Sequence, residues 1–165
     1  MPTLIRRDAS GFHAAEDVFT DVADEDAIPD GAVILSLTRF QAEGDALVTS
    51  GRSVGVRLQP DEAVEDLAYD LPRLALVAPV FPKFRDGRAF TTARLLRDRF
   101  GFTGEVRAVG EVLRELAGFM VRTGFDAFVP ADGSTPDEWA AAAGRFRHVY
   151  QRSSDGRSPA HEERA

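Results

Sequence analysis

The sequence predicts an α/β fold of five mostly parallel strands alternating with helices, as an open doubly wound sheet or a partial βα barrel. Three observations predict it. Residues 32–37 (AVILSL) and 74–81 (LALVAPVF) are continuous apolar runs, the pattern of strands covered on both faces. Segments between and after them carry apolar residues at helical spacing. Glycine or proline punctuates the joins at Ser50-Gly51, Pro60, Pro72, Gly101 and Gly124. Strands separated by helices pair in parallel through right-handed crossovers.

Residues 1–30 form an N-terminal region. Leu4-Ile5 and Phe12 fit a small hairpin about Ser10-Gly11, and residues 21–30 read as an exposed acidic loop. A single α/β domain occupies residues 31–150. After the strand at 32–37 comes a short helix over 40–47, then a second strand at 53–58 (SVGVRL). Pro60-Asp61 opens a helix with Asp61 as cap and Val64, Leu67, Ala68 and Leu71 on one face, and Pro72 ends it. In the strand at 74–81, Pro79 predicts a bulge or an early exit from the ladder. Thr91 or Thr92 caps the next helix, whose core stripe is Ala93, Leu96 and Phe100.

A shorter, half-polar strand follows at 105–109. The helix over 111–123 turns Val112, Leu113, Leu116, Phe119 and Met120 inward and stops at Gly124. Residues 125–129 (FDAFV) supply the fifth strand. Thr135-Pro136-Asp137-Glu138 is a helix start, with a cap, proline at the first position and two acids. Trp139, Ala142, Ala143 and Phe146 form the buried side of that helix. The tail at 151–165 is polar and is predicted to be disordered.

Composition narrows the function. With 165 residues and 44% apolar content, the chain suits one domain with a real core. A net charge of −7, with arginines interspersed among acids, argues against nucleic acid as a partner. Cysteine is absent, which removes disulfides, thiol catalysis and cysteine-ligated clusters. The start, MPTLIRRDASGF, has no apolar signal core, and no stretch reaches the length of a membrane span. A cytoplasmic protein without a membrane partner is the expectation.

The most informative stretch is 81–110. Its loop, 82–88, gathers Lys83, Arg85, Asp86 and Arg88 at the end of the third strand, and Lys83 is the only lysine in the chain. Open α/β folds and βα barrels both bind ligands at the carboxyl ends of strands. Lys83, Arg85 and Arg88, with hydroxyls from Thr91 and Thr92, suit an oxyanion such as phosphate, sulfate or carboxylate. Asp86, Gly87 and Arg39 are placed to organise the loop. Lys83 and Glu111 are the weak candidates for acid/base catalysis. The bland alternative is that Arg85 or Arg88 pairs with Asp86 or Glu111 and merely pins the loop. No dinucleotide fingerprint, P-loop or nucleophile elbow is present, so no cofactor is identifiable. His13, His148 and His161 are scattered, and no metal site is expected from them.

The stretch FPKFRDGRAFTTARLLRDRFGFTGEVRAVGEVLRELAGFMVRTGFDAF resembles a bacterial family of uncharacterised proteins encoded beside assimilatory sulfite reductase. The similarity extends upstream through residues 28–39 and Gly55, and covers most of 28–130. Residues 83–88, Arg94, Leu96, Arg107, Gly110 and Glu111 match its pattern. The family commonly has aspartate at position 111 and a DQ-like pair at Glu115-Leu116. Its members are labelled probable oxidoreductases involved in sulfite reduction. The resemblance implies an accessory protein of sulfate and sulfite assimilation, binding a small oxyanion or a partner such as sulfite reductase through loop 83–88. Two alternatives accompany it. One is an enzyme on a barrel-like scaffold acting on an anionic small molecule. The other is a non-catalytic scaffolding domain, pairing as a homo-oligomer through exposed apolar helix faces.

Overall fold

The computed structural model describes residues 3–163. Eight strands form one sheet: β1 (Leu4–Asp8), β2 (Gly11–Ala15), β3 (Phe19–Asp21), β4 (Ala32–Ser36), β5 (Val54–Leu58), β6 (Leu76–Phe81), β7 (Glu105–Gly110) and β8 (Ala127–Phe128). The five expected strands are β4 to β8. The expected hairpin is β1 and β2, closed where Asp8 faces Gly11. The Asp8 carboxylate accepts from the backbone N of Ser10 at 2.7 Å and from its hydroxyl at 2.6 Å. β3 is an addition, since three residues, FTD, show no periodicity to read.

The spatial order is β2-β1-β8-β7-β6-β5-β4-β3. β3 to β8 are parallel neighbours in chain order, and β1 joins β8 antiparallel. Because that order never reverses, right-handed crossovers place every connecting helix on the same face. The doubly wound alternative therefore gives way to the barrel-like one. Chain length forces the curl. β2 and β3 are opposite edges of the sheet, yet only residues 16–18 join them. Four chain steps reach about 14 Å, whereas a flat sheet of this width would separate its edges by about 34 Å. The sheet curls into a half-barrel, and residues 16–18 cross its concave side.

Side-chain alternation divides the core accordingly. Val33, Leu35, Val56, Leu58, Val77, Phe81, Val106, Ala108 and Phe128 pack outward under the helices. Ile34, Leu76 and Ala78 point inward, with Phe19 and Val109 against them. Arg107, between Val106 and Ala108, also points inward and is 1% exposed. Its Nη1 donates to Asp17 of the crossing segment at 2.8 and 3.0 Å, and its Nε to Glu105 at 2.6 Å. Pro79 makes neither a bulge nor an exit: β6 pairs with β7 in one register from Leu76↔Glu105 to Phe81↔Gly110. The missing N–H leaves a gap in that ladder and no more.

Helices follow the sequence less closely than strands do. α1 (Leu37–Arg39) is capped by Ser36 and runs through a π-helical turn, Phe40–Gly44, into α2 (Asp45–Thr49). After Pro60 no α-helix forms. Two 3-10 turns, Val64–Leu67 and Leu71–Arg73, bury Val64, Leu67 and Leu71 instead. Asp61 is not the cap, because the first turn starts beyond Ala63, which has no side-chain acceptor. Pro72 allows no second α-turn. α3 (Arg88–Arg94) starts at Gly87 and continues as a π-helical turn, Leu95–Arg99. Thr91 and Thr92 thus lie inside the helix and do not cap it.

α4 (Ala117–Thr123) is shorter than expected and is preceded by a 3-10 turn, Arg114–Leu116. Gly124 closes it with φ +106°, a conformation natural to glycine alone. α5 (Pro136–Ala143) has the full predicted start: Thr135 Oγ1 accepts from Glu138 N, and Glu138 Oε2 accepts from Thr135 N at 2.8 Å. Phe119 and Phe146, assigned above to the core, are 61% and 66% exposed. The polar tail is described as far as Glu163. Ala160 N donates to Val149 O at 2.7 Å, and Arg152 pairs with Glu162. Residues 164–165 lie outside the described residues. Among the described residues no helix is long and apolar enough to cross a membrane.

Candidate functional site

Parallel pairing brings the carboxyl ends of β4 to β8 to one rim. Thr38 and Arg39 follow β4, Gln59 follows β5, the loop 82–87 follows β6, Glu111 follows β7 and Asp132 lies beyond β8. The β6 and β7 ends are stitched together there. Phe81, fully buried, accepts at its carbonyl from Glu111 N at 2.7 Å. That bond needs the tight path through Gly110, whose φ is +96°. A Cβ at this position would collide with the Phe81 carbonyl. Gly110→Ala is expected to cost about 2 kcal/mol from left-handed strain plus the clash, read by urea denaturation followed through Trp139 fluorescence. A cost near zero would mean that the rim is not held at this point.

The loop itself is held from two sides. Asp86 N donates to Lys83 O at 2.9 Å, closing a turn. The Asp86 carboxylate then takes Arg88 in a fork, Nε at 3.0 Å and Nη2 at 2.6 Å, and also accepts from Arg88 N at 3.2 Å. Hydrogen bonds from the Arg88 side chain and backbone hold the Asp86 carboxyl down at about 2. The same contact raises the Arg88 guanidinium further. Asp86 therefore keeps its charge through neutral and mildly acidic pH, and its clamp is lost only as pH falls toward that value. From the other side, Glu111 Oε2 accepts from Phe84 N at 2.9 Å. This fixes the backbone at the loop's tip.

These contacts sort the predicted residues. Asp86, Gly87, Arg88 and Glu111 come together and organise the loop. The pairing of Arg88 with Asp86 is the pinning arrangement that sequence reasoning set beside the anion-binding one. Glu111, the candidate base, is engaged by a backbone N–H. Lys83 and Arg85 are exposed, and among the described residues their side chains make no hydrogen bond or ion pair. Between them Phe84 is 41% exposed.

Thr92 is buried and turns its hydroxyl to Arg88 O at 3.4 Å, while Thr91 is exposed a full turn into α3. Arg39 organises a different loop: Nη1 donates to Ala23 O at 2.5 Å, and Nε donates to Glu43 at 3.2 Å. His13 lies on β2, His148 in the segment after α5 with its Nδ1 2.7 Å from Glu163 Oε2, and His161 in the tail. The arrangement can offer two uncommitted cations about an aromatic ring, but no assembled acid/base pair.

Sequence reasoning missed the charged interior of the half-barrel. Arg107, Asp17, Glu105 and Arg6 form one chain of contacts, with Arg6 Nε donating to Glu105 Oε2 at 2.9 Å. Its signal was an arginine inside VRAV, a run otherwise read as strand core.

A family model described as "Bacterial protein of unknown function (DUF934)" matches residues 55–161. No curated protein matches the sequence. The match begins within β5 and takes in the 82–88 loop, the stitched rim and α5.

Proposed function

This chain belongs to that bacterial family of unknown function, and from that premise we propose that it is an accessory protein of assimilatory sulfite reduction which docks a partner through the loop 83–88. One observation carries the reading. The loop spends Asp86, Arg88 and Glu111 on its own geometry and leaves Lys83 and Arg85 uncommitted on either side of Phe84. Exposed cations with no enclosing wall hold a small anion weakly, since water screens them. Two cations flanking a half-exposed ring instead resemble the anchors of protein interfaces, where arginine and aromatic residues dominate the energy. A reductase such as sulfite reductase, presenting carboxylates around an apolar pocket, is the partner this chemistry suits. The setting is the cytoplasm. The sulfur connection rests on the resemblance described from the sequence.

The test is the Lys83→Ala/Arg85→Ala variant against sulfite reductase in a surface-binding assay, with thermal shift in sulfite, sulfate and phosphate alongside. Both side chains are free and exposed, so stability should stay within about 0.5 kcal/mol of wild type. Binding of the reductase should fall at least about tenfold. A melting shift with an oxyanion that the variant loses would move the reading to a small-molecule site. Unchanged reductase binding by the variant would sink it.

A further inference from the structure

Between α4, α5 and the segment that follows α5 runs a groove of about 420 Å³. Its walls are Phe119, Phe146 and Tyr150, which are 61%, 66% and 85% exposed. Those are three of the six large apolar side chains left exposed among the described residues. Their concentration in one groove is the kind of patch that marks an interaction surface. Ala142 and Val149 line the floor.

The charge around it opposes that of the whole chain. Four arginines line the groove against one glutamate, in a protein of net charge −7. Three of them are committed: Arg114 to Glu138 at 2.7 Å, Arg122 to Asp155 at 3.2 Å, and Arg157 to the Phe146 carbonyl at 3.3 Å. Arg145 has no side-chain partner among the described residues, and neither does Arg147, two positions on. Phe146 thus stands between two uncommitted cations. Loop 83–88 repeats this arrangement at Lys83, Phe84 and Arg85, but here the ring borders a groove.

We propose that this groove docks an acidic amphipathic segment of a partner protein, its apolar side chains seated among Phe119, Phe146 and Tyr150 and its carboxylates on Arg145 and Arg147. Charge complementarity selects the occupant. Nucleic acid and anionic membranes present extended negative surfaces, which the net charge of −7 repels. A short acidic peptide meets only the local arginines. Helix-in-groove recognition of this kind reads apolar anchors at helical spacing. In a second copy of this chain, the acidic complement would be the loop 23–30, a different surface. Such a contact is heterologous and builds rings or open chains instead of an isologous dimer.

The probe is a fluorescein-labelled synthetic helix with Leu at i, i+3, i+4 and i+7 and Glu elsewhere, titrated with the full chain and read by anisotropy. A control peptide replaces every Glu with Gln. The expected result is saturable binding of the Glu peptide that weakens with salt. The Gln peptide, R145E/R147E and F146A should each weaken it about tenfold or more. All three sites of substitution are exposed, so melting temperature reports that the fold is intact. The Lys83→Ala/Arg85→Ala variant should bind this peptide like wild type, which separates the groove from the loop.

Equal affinity for both peptides, absence of saturable binding, or wild-type affinity in R145E/R147E would each overturn the proposal. Concentration-dependent self-association abolished by F146A, seen by light scattering, would assign the groove to a second copy and overturn it too.

Discussion

Trp139→Ala will lower the unfolding free energy by about 3–5 kcal/mol, the cost of emptying a large aromatic site in a closed core. Trp139 is fully buried on α5. Its ring centroid lies 4.5 Å from that of Phe128 on β8 and 6.4 Å from that of Phe12 on β2. Its indole N–H donates to the buried Ser134 hydroxyl at 2.8 Å. One side chain thereby ties the last helix to the sheet and to the N-terminal hairpin. Trp139→Phe keeps most of the volume, loses the hydrogen bond and should cost much less. Urea denaturation followed by far-ultraviolet circular dichroism reads both variants, since each removes the only tryptophan. If alanine cost no more than phenylalanine, α5 would not be seated on the hairpin as described.

Arg107→Ala is expected to cost about 3 kcal/mol, because it empties a buried side-chain site and removes the cation shared by part-buried Glu105 and exposed Asp17. Asp17 and Glu105 lose the guanidinium they share, and Phe19 loses the cation 5.5 Å from its ring centroid. The crossing segment 16–18 would lose its anchor to β7 inside the half-barrel. Arg107 Nη2 is buried without a hydrogen-bond partner among the described residues, so part of the cluster's attraction is offset even in the wild type. Arg107→Met fills much of the same volume but leaves the same two carboxylates without the guanidinium, so it should recover only the packing part of the loss. Intrinsic fluorescence of Trp139 across a urea titration reports both. A methionine variant as stable as wild type would show that packing, and not the ionic cluster, anchors the crossing segment; equal losses for methionine and alanine would assign the whole effect to the ionic cluster.

The strands β4 to β8 were legible because each is either a continuous apolar run or sits between clear breaks. The start of α5 was legible because capping is local: Thr135, Pro136 and Glu138 need only one another. Phe119 and Phe146 were misassigned because their surroundings are not local. Helical spacing gives the side of α4 on which Phe119 lies, but not whether a neighbour covers that side, and Phe146 falls beyond Ala143, where α5 ends. In the site, the signs of the charges at 83–88 were legible. Which of them were spent internally was not, since Glu111 reaches Phe84 across 27 positions of sequence.

By itself the sequence determined an α/β protein with parallel strands, a cysteine-free acidic composition, and a cationic loop at the end of β6. These follow from local physics, namely periodicity, caps, breaks and charge. Only the tertiary structure decided that the sheet curls, that Arg107 meets Asp17 across 90 positions inside it, and that the aromatic side chains of α4 and of the segment after α5 share an open groove. Each of these depends on which distant segments become neighbours. That choice belongs to the order of strands in the sheet and to the three residues, 16–18, that must span its edges.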